Sequence, residues 1–245
     1  MLGAGCGCRV PGAGAGASAS AGCGVLGAGC GVLGAGVRIL IIAATAAEVA
    51  PLVARIGPSS DRHELLITGV GMVATAARSS RALAKAHFDV ALNVGVCGSF
   101  DRSLKPGTVA HVTSDRIAEL GAEDGDTFLS IDALHLLGPD DRAEIINLNP
   151  PDSLVLHRLP AVRGITVNTV HGRESSIAEV VKRFRPQVES MEGAAFMYAC
   201  AIEGVRYAQL RAVSNIVEKR NRQAWKLDEA VAALGEAALA VIEQL

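Results

Sequence analysis

The chain has 245 residues, a length that fits one domain with a core of its own. Half of the residues are hydrophobic and a fifth are charged, which excludes disorder as the state of the whole chain. The formal net charge of −2 leaves no electrostatic footprint for nucleic acid or an anionic membrane surface, so a small molecule is the expected partner.

Residues 1–36 stand apart. Glycine and alanine dominate them, Arg9 is their only charged side chain, and Gly-Val-Leu-Gly-Ala-Gly occurs at 24–29 and again at 31–36. Such low-complexity sequence has too little side-chain surface to offset the backbone entropy of glycine and is expected to be disordered. Its regular glycines interrupt the apolar core that a signal peptide needs. The stretches 22–27 and 29–34 match Gly-x-Gly-x-x-Gly, yet a dinucleotide fingerprint requires a strand before it and a helix after it, and neither pattern is present. A translation start placed too far upstream would produce the same text. Cys6, Cys8, Cys23 and Cys30 all lie here, leaving Cys97 and Cys200 for the rest of the chain. Two scattered cysteines read as buried apolar side chains of a cytoplasmic protein, because a secreted framework needs pairs throughout the fold. The six histidines fall in no ligand-like spacing with cysteine or with one another, so no metal site is expected. No apolar run approaches the roughly 18 residues that cross a bilayer.

At residue 37 the pattern changes, and 37–245 is expected to form the domain. Apolar runs predict strands at 38–43, 64–68, 90–94, 108–113, 165–168 and 207–213. Helical periodicity falls between them at 46–55, 72–86, 175–184, 193–203 and 224–244. This alternation predicts a three-layer α/β/α domain with a central mixed sheet, in which ligands bind beyond the carboxyl ends of strands.

The segments after those strands carry the unusual residues. Gly69-Val70-Gly71-Met72 follows a strand and opens a helix, so its backbone can approach a ligand; tight packing would explain it equally well. Asn93-Val94-Gly95-Val96-Cys97-Gly98 is read as a second small-residue loop after the third strand. Glu48 lies one turn into the first helix, where exposed glutamates are commonplace. Glu192 follows Met191 at the start of an apolar helix, placed either to cap it or to face a polyol. Ser214-Asn215 ends a strand, where an amide side chain meets substrate in folds of this kind.

Five segments in order, 66–72, 121–125, 167–170, 189–195 and 211–215, the last followed by Arg220-Asn221-Arg222 and Trp225, carry a family likeness. Together they resemble the purine nucleoside phosphorylase and nucleosidase superfamily, and within it the futalosine hydrolases of menaquinone biosynthesis, from about residue 38 to 245. The resemblance implies a nucleoside phosphorylase-like fold, a nucleoside substrate, no cofactor, and a homodimer or higher homo-oligomer. It places Glu48 where nucleosidases keep the carboxylate that activates water. Met191 and Glu192 match the segment that packs under the ribose and grips its hydroxyls. Asn215 stands where adenine-cleaving relatives carry Asp; its NH₂ donors suit the N7 and O6 acceptors of hypoxanthine. Gly71, Val96, Cys97 and Gly98 are expected against the substrate, Val96 where many relatives have Ser or Thr, and Val170 and His171 are candidates to stack on the base.

Other activities remain open at this stage. A phosphorylase needs cations around the glycine loops, but Asn93 occupies the position of a phosphate-binding Arg in bacterial phosphorylases, and 69–75 holds no Lys, Arg or His. A methylthioadenosine/S-adenosylhomocysteine nucleosidase and a non-catalytic nucleoside-binding protein are the further alternatives. Arg116, Glu123 and Arg222 are placed in loops, where surface salt bridges would account for them as well as recognition of a substrate carboxylate.

Overall fold

The computed structural model describes residues 36–245; the expectations for 1–35 lie outside the described residues. The first part of the domain alternates strand and helix: β1 (Ile39–Ala43), α1 (Ala46–Ile56), β2 (His63–Ile67), α2 (Met72–Lys85), β3 (Val90–Ser99) and β4 (Val109–Ile117). A hairpin of β5 (Gly121–Asp124) and β6 (Thr127–Ser130) follows, then β7 (Glu144–Ile146), α3 (Leu154–Arg158) and β8 (Ala161–Thr166). The chain ends with α4 (Glu174–Phe184), β9 (Val188–Ser190), α5 (Gly193–Glu203), β10 (Arg206–Ile216), a 3-10 turn at Arg222–Ala224 and α6 (Leu227–Ile242).

All strands except the hairpin join one mixed sheet in the order β10-β4-β8-β9-β3-β1-β2, with β7 on β4. Strand β10 pairs with β3 as well as β4, and β9 with both β3 and β8, so the pairings close a ring of five strands. One cluster draws on every strand of that ring: Cys97, Ala110, Val112, Val162, Val188 and Val213. In β1, Ile39 and Ile41 pack with α1 and α6, while Leu40 and Ile42 pack with α2 and α5. Side chains of a strand alternate between faces, so a strand covered by helices on both sides reads as an unbroken apolar run, as Ile39 to Ile42 does. The predicted three layers follow.

The main correction concerns β3. Gly95, Val96, Cys97 and Gly98 were expected in a loop, but β3 runs on to Ser99. Its last residues pair in parallel with β10 through Ser99 and antiparallel with β9 at Gly98 and Ser99, and those backbone bonds outweigh the low strand propensity of glycine. Strand β8 starts at Ala161 rather than 165, because Arg163 and Gly164 interrupt its apolar run; Val167 and Asn168 lie beyond its end. Arg116 sits in β4 rather than in a loop, bonded to Asp132 and Glu144. Among the described residues no helix is long and apolar enough to cross a membrane.

Candidate active site

The carboxyl ends of β1, β2, β3, β8, β9 and β10 face one region, where a cavity of about 330 Å³ opens. Its polar lining includes Thr45, Glu48, Glu189, Ser190, Glu192, Ser214 and Asn215. Ala44, Ala47, Val70, Val170, Met191 and Trp225 contribute apolar wall, together with Leu227 and Val231 from the first turns of α6. The backbone N–H of Lys226 donates to the Ser214 carbonyl at 2.8 Å, which fixes the segment carrying Trp225 against the end of β10.

Glu48 is half-buried, not the exposed helix residue the sequence suggested. Thr45 and Glu48 form a capping box at the start of α1: the Thr45 side chain accepts from the Glu48 N–H, and Glu48 Oε2 accepts from the Thr45 N–H at 2.9 Å and hydroxyl at 2.8 Å. Glu48 Oε1 accepts only the Val96 N–H, at 3.1 Å, which leaves it a lone pair for water. A Cβ on Gly95 would lie 3.0 Å from Glu48 Oε1 and 3.1 Å from Arg211 Nη1, so the absent side chain at Gly95 leaves a gap between a carboxylate and a guanidinium.

Arg211 is 1% exposed, donates from Nη1 to the Leu210 carbonyl, and has no partner at Nε. It belonged to a motif in the sequence but was given no role there. The readable signal was a charged residue inside the apolar run Ala208 to Val213. Its guanidinium places positive potential at the Glu48 end of the cavity.

Glu192 is the residue before the first turn of α5, yet its side chain makes no capping bond. Its Oε1 instead accepts the Gly71 N–H at 2.9 Å, joining the two glycine-opened helix starts and leaving Oε2 for a ligand hydroxyl. Gly71 takes φ +97°, in the region that favours glycine, and acts through this amide, whereas Val70 beside it supplies cavity wall. Met191 lies next to Glu192 in that wall.

Asn215 follows a register shift in β10 that turns its side chain into the cavity. Its Oδ1 lies 2.9 Å from the Ser214 hydroxyl and its Nδ2 donates to the Ile216 carbonyl at 3.0 Å, so the second Nδ2 hydrogen remains free. Cys97 and Gly98 line the same cavity. Burial pushes the Cys97 thiol up to about 12, which keeps it neutral and unreactive. Val170 lies in the wall, but His171 does not; it binds Glu189 and borders a neighbouring hollow shared with Asn215 and Trp225. Arg222 is exposed on the 3-10 turn, and Glu123 borders a separate hollow beside the hairpin. Asn93 lies buried in β3 and donates to the Ile42 carbonyl. Arg78, from the second turn of α2, reaches back to the Thr68 carbonyl beneath the glycine loop.

Residues 41–244 match the phosphorylase superfamily. The chain is 32% identical over 230 residues to the futalosine hydrolase of Acidothermus cellulolyticus, covering 80% of this chain and 90% of that protein. It is 33% identical over 188 residues to the futalosine hydrolase of Streptomyces coelicolor, covering 72% and 77%. Among solved structures, the native futalosine hydrolase of Helicobacter pylori superposes with a TM-score of 0.71 at 16% identity, covering 85% of this chain and 98% of that one. A Helicobacter pylori methylthioadenosine nucleosidase mutant holding 5′-methylthioadenosine superposes with a TM-score of 0.72, also at 16% identity, covering 86% and 100%. The two solved structures share the fold, and the curated relatives place the sequence more narrowly: the chain belongs to the phosphorylase superfamily and, within it, to the futalosine hydrolase family.

Proposed function

We propose that this chain hydrolyses the N-glycosidic bond of futalosine, releasing hypoxanthine and dehypoxanthinyl futalosine, as a step of menaquinone biosynthesis in the cytoplasm. The observation that carries the reading is one cavity holding both a carboxylate with a free lone pair, Glu48, and an amide with a free donor, Asn215. Glu48 accepts a proton from water as the water oxygen bonds to the anomeric carbon. The base departs with the electrons of the glycosidic bond, and the Asn215 N–H stabilises the charge that gathers on its ring. Glu192 accepts hydrogen bonds from the ribose hydroxyls over Met191 and holds the sugar as positive charge develops on it.

Water is favoured over phosphate as nucleophile because Glu48 would repel a phosphate dianion. The apolar wall of Val70, Trp225, Leu227 and Val231 suits the aromatic part of futalosine. The homo-oligomer implied by the resemblance belongs to the same proposal: Val70 and Val73, 58% and 78% exposed, form an apolar ledge beside the cavity that a second copy would cover.

The test is chromatographic detection of free base after separate incubation with futalosine, inosine and methylthioadenosine, with and without phosphate. Hypoxanthine released from futalosine without phosphate is expected; adenine release or a phosphate requirement would replace the proposal with a methylthioadenosine nucleosidase or a phosphorylase. Glu48→Gln should lower kcat by about 10² or more with the fold intact, and unchanged turnover would remove Glu48 from the mechanism.

A further inference from the structure

Helix α5 begins without help from its own cap residue. Glu192 stands where a side chain ordinarily accepts an N–H of the first turn, yet its carboxylate makes no such bond and reaches the Gly71 amide instead. The first two amides of the helix are satisfied from the ends of two strands. Thr166 of β8 and Ser190 of β9 are register partners. Gly193 donates its N–H to the Ser190 hydroxyl at 3.2 Å, and Ala194 donates to the Thr166 hydroxyl at 2.7 Å.

The bond to Thr166 is directed. A hydroxyl has one hydrogen to give, and that of Thr166 goes to Asp115 Oδ1 at 2.8 Å, which turns a lone pair toward Ala194. Gln209 holds the other oxygen of Asp115, and all three side chains are buried. Gly193 lets the helix start lie against them, because a Cβ there would collide with Asp115 and Gln209. Ala194 is the second helical residue, one of the two whose N–H a capping side chain takes in an ordinary helix.

We infer that Thr166, oriented by Asp115, is a positioning residue for the reaction. It caps α5 from the neighbouring strand, which releases the Glu192 carboxylate from the helix and leaves it on the Gly71 amide with Oε2 toward the ribose. Without the hydroxyl, the Ala194 N–H would be a buried donor lacking a partner. The Glu192 carboxylate, at the position from which helices are capped, is the acceptor placed to turn to it, and the sugar would lose its grip.

This inference rests on reading Glu192 as the residue that holds the ribose, and the experiment separates the two. Values of kcat/KM are measured for futalosine and for its 2′-deoxy and 3′-deoxy analogues, and the ribo-to-deoxy ratios are compared among variants, so that the intrinsic lability of each analogue cancels. Glu192→Gln should lower at least one ratio. Thr166→Val, which keeps the shape of the side chain and removes its hydroxyl, should lower the same ratio by about tenfold or more. Thr166→Ser should restore it, and Thr166→Val should lower it no further in a Glu192→Gln background. A wild-type ratio in Thr166→Val beside a lowered one in Glu192→Gln would make Thr166 merely structural and overturn the inference. Unchanged ratios in Glu192→Gln would overturn the ribose reading and the inference together. Amide exchange gives a second measurement, independent of whether Thr166→Val folds. First-turn amides of an uncapped helix exchange readily, so in the wild type and Thr166→Ser the Ala194 N–H should exchange as slowly as those of Leu92 and Val94. Fast exchange at Ala194 would sink the cap.

Discussion

Single atoms decide the character of this site, and Gly95 is the sharpest case. Its missing Cβ leaves open the gap flanked by Glu48 Oε1 and Arg211 Nη1. Gly95→Ala would put a methyl group at 3.0 and 3.1 Å from those two atoms, tighter than ordinary contacts, at the end of the cavity where water must approach Glu48. The expected result is a fall in kcat of tenfold or more with little change in melting temperature, since displacement of about 1 Å near reacting atoms costs on the order of 10² in rate. Wild-type kcat in that variant would show that the gap is not used. At this scale the sequence was partly legible. The Thr45-x-x-Glu48 spacing carries the capping-box signature, and Glu189 to Glu192 of one motif meet Ser214 and Asn215 of another in one cavity. The reach of Glu192 to the Gly71 amide was not legible, because it joins positions 121 residues apart and depends on how two helix starts approach each other. Nor was the pairing of Glu189 with His171, which forms only once β9 and the segment after β8 lie together.

At the level of elements, helix α5 is anchored by a buried polar network. The Thr166 hydroxyl donates to Asp115 Oδ1 at 2.8 Å and accepts the Ala194 N–H at 2.7 Å, while Gln209 donates to Asp115 Oδ2 at 2.9 Å. Gly193 is required beside it, since a Cβ there would fall 2.0 Å from Asp115 Oδ2. Burial pushes the Asp115 carboxyl up to about 6 from an ordinary 3.8, although Gln209, Thr166 and Arg211 pull it back. The native state thus holds a proton that the unfolded chain releases, and this residue's contribution to stability declines as pH rises from about 4 to 6. His111 acts in the opposite sense: burial lowers it to about 4 from 6.5, so its contribution declines as pH falls through that window. Asp115→Asn removes the first effect, and a flip of the Gln209 amide would give its unpartnered Oε1 a donor. Denaturant titrations should find the variant near wild-type stability at pH 4 and more stable by about 1–3 kcal/mol at pH 7. A variant less stable than wild type at pH 7 would contradict this account. The longer helices were legible because their apolar faces repeat with the helical period. Strands β5 to β7 and β9, of three or four residues each, were missed because pairing rather than side-chain pattern defines them.

For the molecule as a whole, the alternation of strand and helix was enough to place the site beyond the strand ends, but not to foresee the closure of five strands into a ring, which depends on β10 and β9 each pairing twice. That closure puts β3 in the middle of the fold, bordered by β1, β9 and β10 along its ten residues. Backbone protons of such a strand exchange with solvent only when much of the structure opens, so those of Leu92 and Val94 should be among the slowest in hydrogen-exchange measurements. Val96, in the same strand, donates its proton to the Glu48 carboxylate. Removing that acceptor in Glu48→Ala should accelerate exchange at Val96 while leaving Leu92 and Val94 protected, and uniform behaviour of the three would contradict the bond. One amide in the interior of the sheet therefore offers a spectroscopic gauge of the general base in its resting state, readable without any substrate.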